Sequence, residues 1–315
     1  MFQLKKTALV TGGAGFIGSH TTDALIAQGW KVIVVDDLSS GNLDNLRHLK
    51  GNPCFSFMRG DICDVELMKR LLHGADEVFH FAAQVSVPLS IDDPEGCYRV
   101  NIDAFKNLLL LCKERKLPVF YASSAAVYGN RGDGVRDEEE APRPLSPFGA
   151  SKAIDEMLAS AAWNSWGVPA VGFRFFNVYG PRQNPNGAYA SIIPKFCSVM
   201  ACGSTPVIYG DGEQTRDFIH VKDVAAIIVK MSDMAKENGG RVFNVATGVS
   251  ISVNALLKAI ADKMSIPPKA DYKPARAGDI VSSAADISRL KSALKDIKFT
   301  DINEGLVDTV EWYKA

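Results

Sequence analysis

The chain has 315 residues, with 35 Lys and Arg against 36 Asp and Glu and a formal net charge of −1. So even a balance supplies no field for holding nucleic acid or an anionic membrane, and neither is expected as a partner. With 47% hydrophobic and 23% charged residues, the composition fits a folded globular protein with a sizeable core.

The first half alternates short β-branched runs, at 7–11, 31–35, 55–58, 77–80, 118–122 and 170–174, with helix-length stretches at 16–28, 65–73, 92–114 and 149–166. Such alternation predicts a doubly wound α/β fold of the Rossmann type, its parallel strands covered on both faces and apolar throughout. The acidic stretch 137–140 reads as a solvated loop. After about Val178 glycine and proline become frequent, as in Gly180-Pro181-Arg182 and Gly210-Asp211-Gly212, and the alternation lapses. Residues 1–177 are therefore expected to form a nucleotide-binding domain. Residues 178–315 are expected to form a smaller C-terminal substrate domain, with segments free to return to the first.

Cys54, Cys63, Cys97, Cys112, Cys197 and Cys202 show no paired-ligand spacing, so they are expected to be buried, reduced thiols, and no metal is expected. No apolar run approaches a membrane span. The short run after Lys5-Lys6 stops at Gly12-Gly13, as a strand entering a turn does, and the expected location is the cytoplasm.

Thr11-Gly12-Gly13-Ala14-Gly15-Phe16-Ile17-Gly18 joins the first strand to the first helix. Gly12 permits the tight turn, Gly15 lets backbone approach a pyrophosphate, and Gly18 lets helix pack close on sheet. The amides at the helix start, at Phe16 and Ile17, then face the phosphates. The second strand ends in Val35-Asp36, whose carboxylate suits adenosine ribose hydroxyls and repels a 2′-phosphate, and Asp37 follows it, also expected at the cofactor. With no Arg or Lys expected nearby to neutralise a 2′-phosphate, NAD is expected rather than NADP.

The Gly-x-x-Gly-x-x-Gly spacing resembles the extended short-chain dehydrogenase/reductase superfamily. The resemblance continues through Asp61-Ile62 at the adenine, His80-Phe81-Ala82-Ala83 beside the pyrophosphate, and Asn101 as a buried helix residue near the cofactor. Tyr121-Ala122-Ser123-Ser124-Ala125-Ala126-Val127-Tyr128-Gly129 is similar to the superfamily's catalytic serine segment, with Ser124 in the catalytic place. Pro147-Phe148-Gly149-Ala150-Ser151-Lys152 stands where the family carries Tyr-x-x-x-Lys, an i, i+4 pair on one helix face. In the family that lysine binds the nicotinamide ribose and lowers the tyrosine pKa, and the tyrosinate takes a sugar hydroxyl proton. Here the tyrosine place holds Phe148, which exchanges no proton. An engineered Tyr→Phe change in an otherwise complete site is the favoured explanation. A natural variant with another base, or with no chemistry, is the other.

Arg174-Phe175-Phe176-Asn177-Val178-Tyr179-Gly180-Pro181-Arg182 resembles a nucleotide-sugar segment whose asparagine, here Asn177, contacts the diphosphate. The stretch from Gln183 to Lys195 is similar to the uridine-binding segment of UDP-N-acetylhexosamine 4-epimerases. By that resemblance Ala190, Ser191, Lys195 and Tyr209 also touch the substrate, Arg216 and Arg276 grip the diphosphate, and Asp279 holds a ribose hydroxyl. Two arginine forks suit phosphate oxygens. Ser283 falls at the sugar-pocket wall, where a small residue admits N-acetylated sugars.

The implied activity is a UDP-sugar 4-epimerase, through a 4-keto sugar and bound NAD, in a homodimer packed through the helices carrying Lys152 and Asn101. Ala125 and Ala126 replace the Asp-Glu pair of 4,6-dehydratases, and the segment also lacks the glutamate of UDP-glucuronate decarboxylases. ADP-heptose-type epimerases, which generally use NADP, and a catalytically silent NAD and sugar-nucleotide sensor remain as alternatives.

Overall fold

The computed structural model describes residues 6–132, 134–186, 191–275 and 282–314. In chain order the elements begin with β1 (Thr7–Thr11), α1 (Phe16–Ala27), β2 (Lys31–Asp36), β3 (Phe55–Arg59), α2 (Val65–His73) and β4 (Glu77–His80). Next come α3 (Val87–Asp92), α4 (Pro94–Tyr98), α5 (Ala104–Cys112), β5 (Val119–Ser124), β6 (Val135–Arg136), α6 (Pro147–Trp166) and β7 (Ala170–Phe175). β8 (Asn177–Tyr179), α7 (Ile192–Ala201), β9 (Val207–Tyr209), β10 (Thr215–His220), α8 (Val221–Ser232) and β11 (Val242–Val245) follow. The chain closes with β12 (Ser250–Ser252), α9 (Val253–Met264), β13 (Asp271–Lys273), β14 (Ser282–Ala285), α10 (Ser288–Ala293) and α11 (Ile302–Lys314).

A seven-stranded sheet runs in the order β11-β7-β5-β4-β1-β2-β3, and its pairings from β3 across to β5 are parallel. This is the Rossmann-type arrangement the alternation predicts. The strand order reverses between β1 and β4, so the loops leaving those two strands diverge and open a crevice at their carboxyl ends. β3, at the edge, is partly exposed, with Met58 at 44%. The expectation of strands apolar throughout fails also inside the sheet, where Glu77 and His80 of β4 and Arg174 of β7 are buried polar side chains, partnered by Lys6, Thr11 and Glu156 respectively.

The chain divides into two units. The first comprises Met1–Gly129, Pro142–Arg174 and Val224–Phe243, and its core gathers Leu9, Val78, Phe105, Leu108 and Val119. The second comprises Asn130–Ala141, Phe175–Asp223 and Asn244–Ala315, and its core gathers Tyr179, Phe196, Leu256, Ile260 and Leu306. Within it a sheet runs β12-β10-β14-β6, β8 pairs with β10, and β13 pairs with β9.

Three sequence expectations need correction. The helix expected over 92–114 is broken into α4, a π-helical turn over Arg99–Asp103, and α5. The acidic stretch 137–140 is a turn with Asp137 and Glu139 exposed, as expected, but its other two acids are tied down: Glu138 accepts from the Asn244 N–H at 2.8 Å, and Glu140 pairs with Arg131 at 3.3 Å and Arg136 at 3.5 Å. Cys97, Cys112 and Cys197 are buried, but Cys54 and Cys63 are half-buried and Cys202 is exposed, because these three sit in turns or at a helix end. All six are free thiols.

Candidate active site

The turn after β1 leaves no room for side chains. A Cβ on Gly12 would lie 2.5 Å from the Ala82 nitrogen, and one on Gly18 would lie 2.2 Å from the Gly12 carbonyl oxygen. Gly12 also takes φ +67°, the left-handed region that glycine enters without strain. Gly15 caps α1 from extended backbone, and the first helical bond runs from the Ser19 N–H to its carbonyl at 3.0 Å. The Phe16 and Ile17 amides, at the helix start, have no carbonyl one turn back to bond. This glycine cradle and its free amides fit a dinucleotide's pyrophosphate.

Asp36, only 6% exposed, accepts from the Ala14 N–H at 2.9 Å and the Leu38 N–H at 2.8 Å. Those bonds leave each oxygen a further lone pair for a ribose hydroxyl. Burial raises its pKa, and the two backbone bonds oppose that rise. Asp37 is exposed and accepts from Ser39. One correction bears on the cofactor: Arg59 is the register partner of Asp36 on β3, so a basic residue is adjacent after all, with its side chain exposed. Asp61 pairs with Arg99 at 3.7 Å, and Ile62 is buried beside it. Phe81 and Ala82 lie against the Gly12 turn, and Ala83, half-buried, follows them. The Phe81 N–H bonds the Thr11 carbonyl at 3.0 Å and the Ala82 N–H bonds Thr11 Oγ1 at 3.3 Å. Asn101, in the π-helical turn and 1% exposed, donates to Ser151 Oγ at 2.9 Å and Gln84 O at 3.1 Å and accepts from Gln84 N–H at 2.8 Å. It thereby fixes the loop after β4 to α6.

Ser124 ends β5, and its hydroxyl oxygen accepts from the Ala126 N–H at 3.1 Å, starting a 3₁₀ turn. α6 starts two residues earlier than expected. Ser146 caps it by accepting from the Gly149 N–H, and Pro147 occupies its first position, signals the sequence displays but the expected boundary overlooked. Gly149 is needed because a Cβ there would lie 2.8 Å from the Ala126 carbonyl oxygen. That close approach seats the first turn of α6, with Phe148, against the turn that follows Ser124. Phe148 is 8% exposed, and its N–H donates to Ser90 Oγ at 3.1 Å. Lys152, 3% exposed, lies one turn further along the same face.

Several participants were not foreseen. The Lys152 ammonium donates to Asp155 at 3.2 Å, and both side chains are buried. Thr11 Oγ1 and His80 Nδ1 lie 2.8 Å apart; burial, with the Lys152 charge facing it, pushes His80 down to about 3 and keeps it neutral. Arg174 forks onto Glu156 at 2.9 and 2.8 Å and donates to the Tyr128 hydroxyl at 2.8 Å, while Ser123 donates to Glu156 at 2.5 Å. This buried network braces β5 against α6 and β7. An acid three residues after Lys152 was a readable signal for Asp155. The long-range network had none.

In the second unit Arg216 lies on β10 beside Ser283 of β14, its register partner. Asn177 donates to the Asp217 carbonyl at 3.0 Å, so it is spent partly on joining β8 to β10. Asp217 itself is buried and accepts from the Thr247 and Gly248 N–H groups at 2.9 and 2.8 Å. Ser191 precedes α7, Lys195 is exposed on it, and Tyr209 ends β9 half-buried. Ala190, Arg276 and Asp279 lie outside the described residues.

Residues 8–246 match the model of the NAD dependent epimerase/dehydratase family. The chain belongs to that family. A UDP-glucose 4-epimerase of Mycolicibacterium smegmatis is 37% identical over 97% of this chain and 98% of its own length. Among solved structures, the UDP-N-acetylglucosamine 4-epimerase from Methanobrevibacter ruminantium, in complex with UDP-N-acetylmuramic acid, is 40% identical with a TM-score of 0.92 over 99% of both chains. A tyrosine-to-phenylalanine mutant of the Bacillus cereus UDP-glucuronic acid 4-epimerase, with UDP-4-deoxy-4-fluoro-glucuronic acid and NAD, is 30% identical with a TM-score of 0.89 over 98% of this chain and 99% of that one. For a member of this NAD-dependent family, the Gly12–Gly18 cradle and Asp36 are the features that fit the cofactor. Among the described residues no group of side chains is suited to a metal, and no helix is long and apolar enough to cross a membrane.

Proposed function

We propose that this chain is a UDP-sugar 4-epimerase whose proton-transferring position is held by Phe148. The observation that carries the reading is the first turn of α6 lodged against the Ser124 turn, with Phe148 and the buried Lys152 on one face. Gly12, Gly15, Gly18 and the amides of Phe16 and Ile17 would hold the pyrophosphate of NAD, Asp36 the adenosine ribose, and Lys152 the nicotinamide ribose. When bound, NAD supplies the acceptor and donor of hydride at sugar carbon 4. Ser124 would hydrogen-bond the reacting hydroxyl, and Phe148 leaves the proton without a carrier. Ala125 and Ala126 provide no acid or base for elimination, which disfavours a dehydratase.

Asn177, Ser191, Lys195, Tyr209, Arg216 and Ser283, with Ala190, Arg276 and Asp279, are proposed to bind the nucleotide sugar. The small Ser283 favours N-acetylated sugars over UDP-glucose and UDP-galactose. A homodimer is supported by apolar side chains left exposed on the helices expected to mediate it, namely Leu110 at 48%, Ile154 at 36% and Met157 at 63%. The free cysteines support a reducing cytoplasm. The test is a coupled assay of UDP-sugar interconversion with Phe148 and with tyrosine restored. Background turnover in both would favour the one competing reading that Phe148 sustains, a silent sensor of NAD and sugar nucleotide.

A further inference from the structure

Lys152 is a charged side chain 3% exposed, on a flexible four-carbon stem with three donors. Its ammonium gives one of them to Asp155, three residues on along α6 and 3.2 Å away, and that carboxyl is 1% exposed. The other Asp155 oxygen, Oδ1, is buried and has no hydrogen-bond partner. A buried ion pair with one oxygen unsatisfied is a poor stabiliser, and well-packed apolar residues would hold the helix at least as firmly. What the pair does supply is a fixed place for Nζ.

We propose that Asp155 is a positioning residue, holding the Lys152 ammonium so that its two remaining N–H groups are set for the nicotinamide ribose. The inference rests on the cofactor reading given above.

The neighbours leave this task to Asp155. From β4, His80 is neutral and bonded to Thr11. From β5 comes Tyr121, whose phenol burial pushes far up. From β7, Arg174 is forked onto Glu156, so the adjacent carboxylate on α6 is committed elsewhere. From α4 comes Cys97, its thiol raised by burial, and Asp93 lies at that helix's start, where it caps the Gly96 N–H. Burial raises the Asp155 pKa to about 7 against the pull of Lys152, whereas His80, Tyr121 and Cys97 are all pushed away from neutrality. The grip is therefore strongest above pH 7, where Asp155 is ionised, and relaxes as it protonates.

The test is calorimetric titration of NAD into the full chain freed of nucleotide. Asp155→Asn should weaken NAD roughly tenfold at pH 8, the scale expected on losing a hydrogen bond between charged groups, and clearly less at pH 6. In a Lys152→Met background the same substitution should change nothing, because a positioning residue acts through the group it positions. Asp155→Glu, which keeps the carboxylate, should bind within about threefold of the parent and keep its pH dependence. Equal weakening in both backgrounds would reveal a merely structural role and overturn the proposal. Unchanged affinity in Asp155→Asn would do the same, as would Asp155→Glu binding no better than Asn. If Asp155→Asn does not fold, Asp155→Glu decides: binding within about threefold of the parent with the same pH dependence supports the proposal, and a roughly tenfold weakening at pH 8 overturns it. A parent chain that binds no NAD at any pH would overturn the cofactor reading and the proposal together, a result distinct from each of the others.

Discussion

Restoring a hydroxyl at position 148 exposes the reading of function most directly to failure. Phe148 is 8% exposed, in the helical turn whose Gly149 lies against the Ser124 turn, so Phe148→Tyr adds one oxygen to an almost buried ring. If its para position faces the reacting sugar, the new hydroxyl serves as general base, and turnover should rise by roughly 10² to 10⁴. That range corresponds to about 2.7–5.5 kcal/mol of barrier. Lys152, on the same face, favours the tyrosinate that the reaction needs. If position 148 is only a core aromatic, the hydroxyl is buried unpaired at a cost of about 1–3 kcal/mol. Melting would then fall by about 2–4 °C for each kcal/mol, with no gain in rate. A coupled assay on UDP-N-acetylglucosamine and UDP-glucose, with thermal melts of both proteins, separates the outcomes. Turnover at background in a destabilised Phe148→Tyr would refute the epimerase assignment.

Protein denatured to release its nucleotide should yield NAD and not NADP, because Asp36 at the end of β2 repels a 2′-phosphate; recovery of NADP would give Arg59 the decisive role instead. On the tyrosine-restored chain, Ser283→Tyr should block N-acetylated UDP-sugars while sparing plain hexoses, as measured by relative kcat/KM, and equal loss for both would remove Ser283 from the pocket wall. Glu156→Gln leaves the buried Arg174 charge uncompensated and should cost about 3–5 kcal/mol in denaturant unfolding, whereas an unchanged midpoint would contradict the bracing role. His80 falls from the usual 6.5 to about 3 on folding, so keeping it neutral contributes stability that is present above pH 6.5 and lost as pH falls toward 3. His80→Gln should therefore lose less stability than the parent on acidification from pH 7 to 4, and parallel melting curves would contradict this.

The parallel sheet was legible because short β-branched runs alternate with helix-length stretches and its glycines sit where backbone meets backbone, at Gly12 and Gly18. The motif at 124–152 was legible through its resemblance to the superfamily's serine segment and Tyr-x-x-x-Lys, with helix spacing putting positions 148 and 152 on one face. Other features were hidden in long-range pairing. Arg174 reads as one residue in a strand, and only the fold shows it neutralising Glu156 beneath Ser123 and Tyr128. The acidic run at 137–140 looked solvated because two of its partners, Asn244 and Arg289, lie more than a hundred residues away. The break in the long helix at Arg99–Asp103 had no local signal either, as the proline of that stretch, Pro94, stands at the start of α4; the break places Asn101 for bonds to Gln84 and Ser151.

The central claim is that hydrogen leaves carbon 4 of a UDP-sugar and returns to the same carbon from the other side. UDP-N-acetylglucosamine deuterated at C4 and incubated with the Phe148→Tyr chain should give UDP-N-acetylgalactosamine that keeps the label at C4, as read by NMR and mass spectrometry. Label washed out to solvent, or found at C6 of a dehydrated product, would contradict the account.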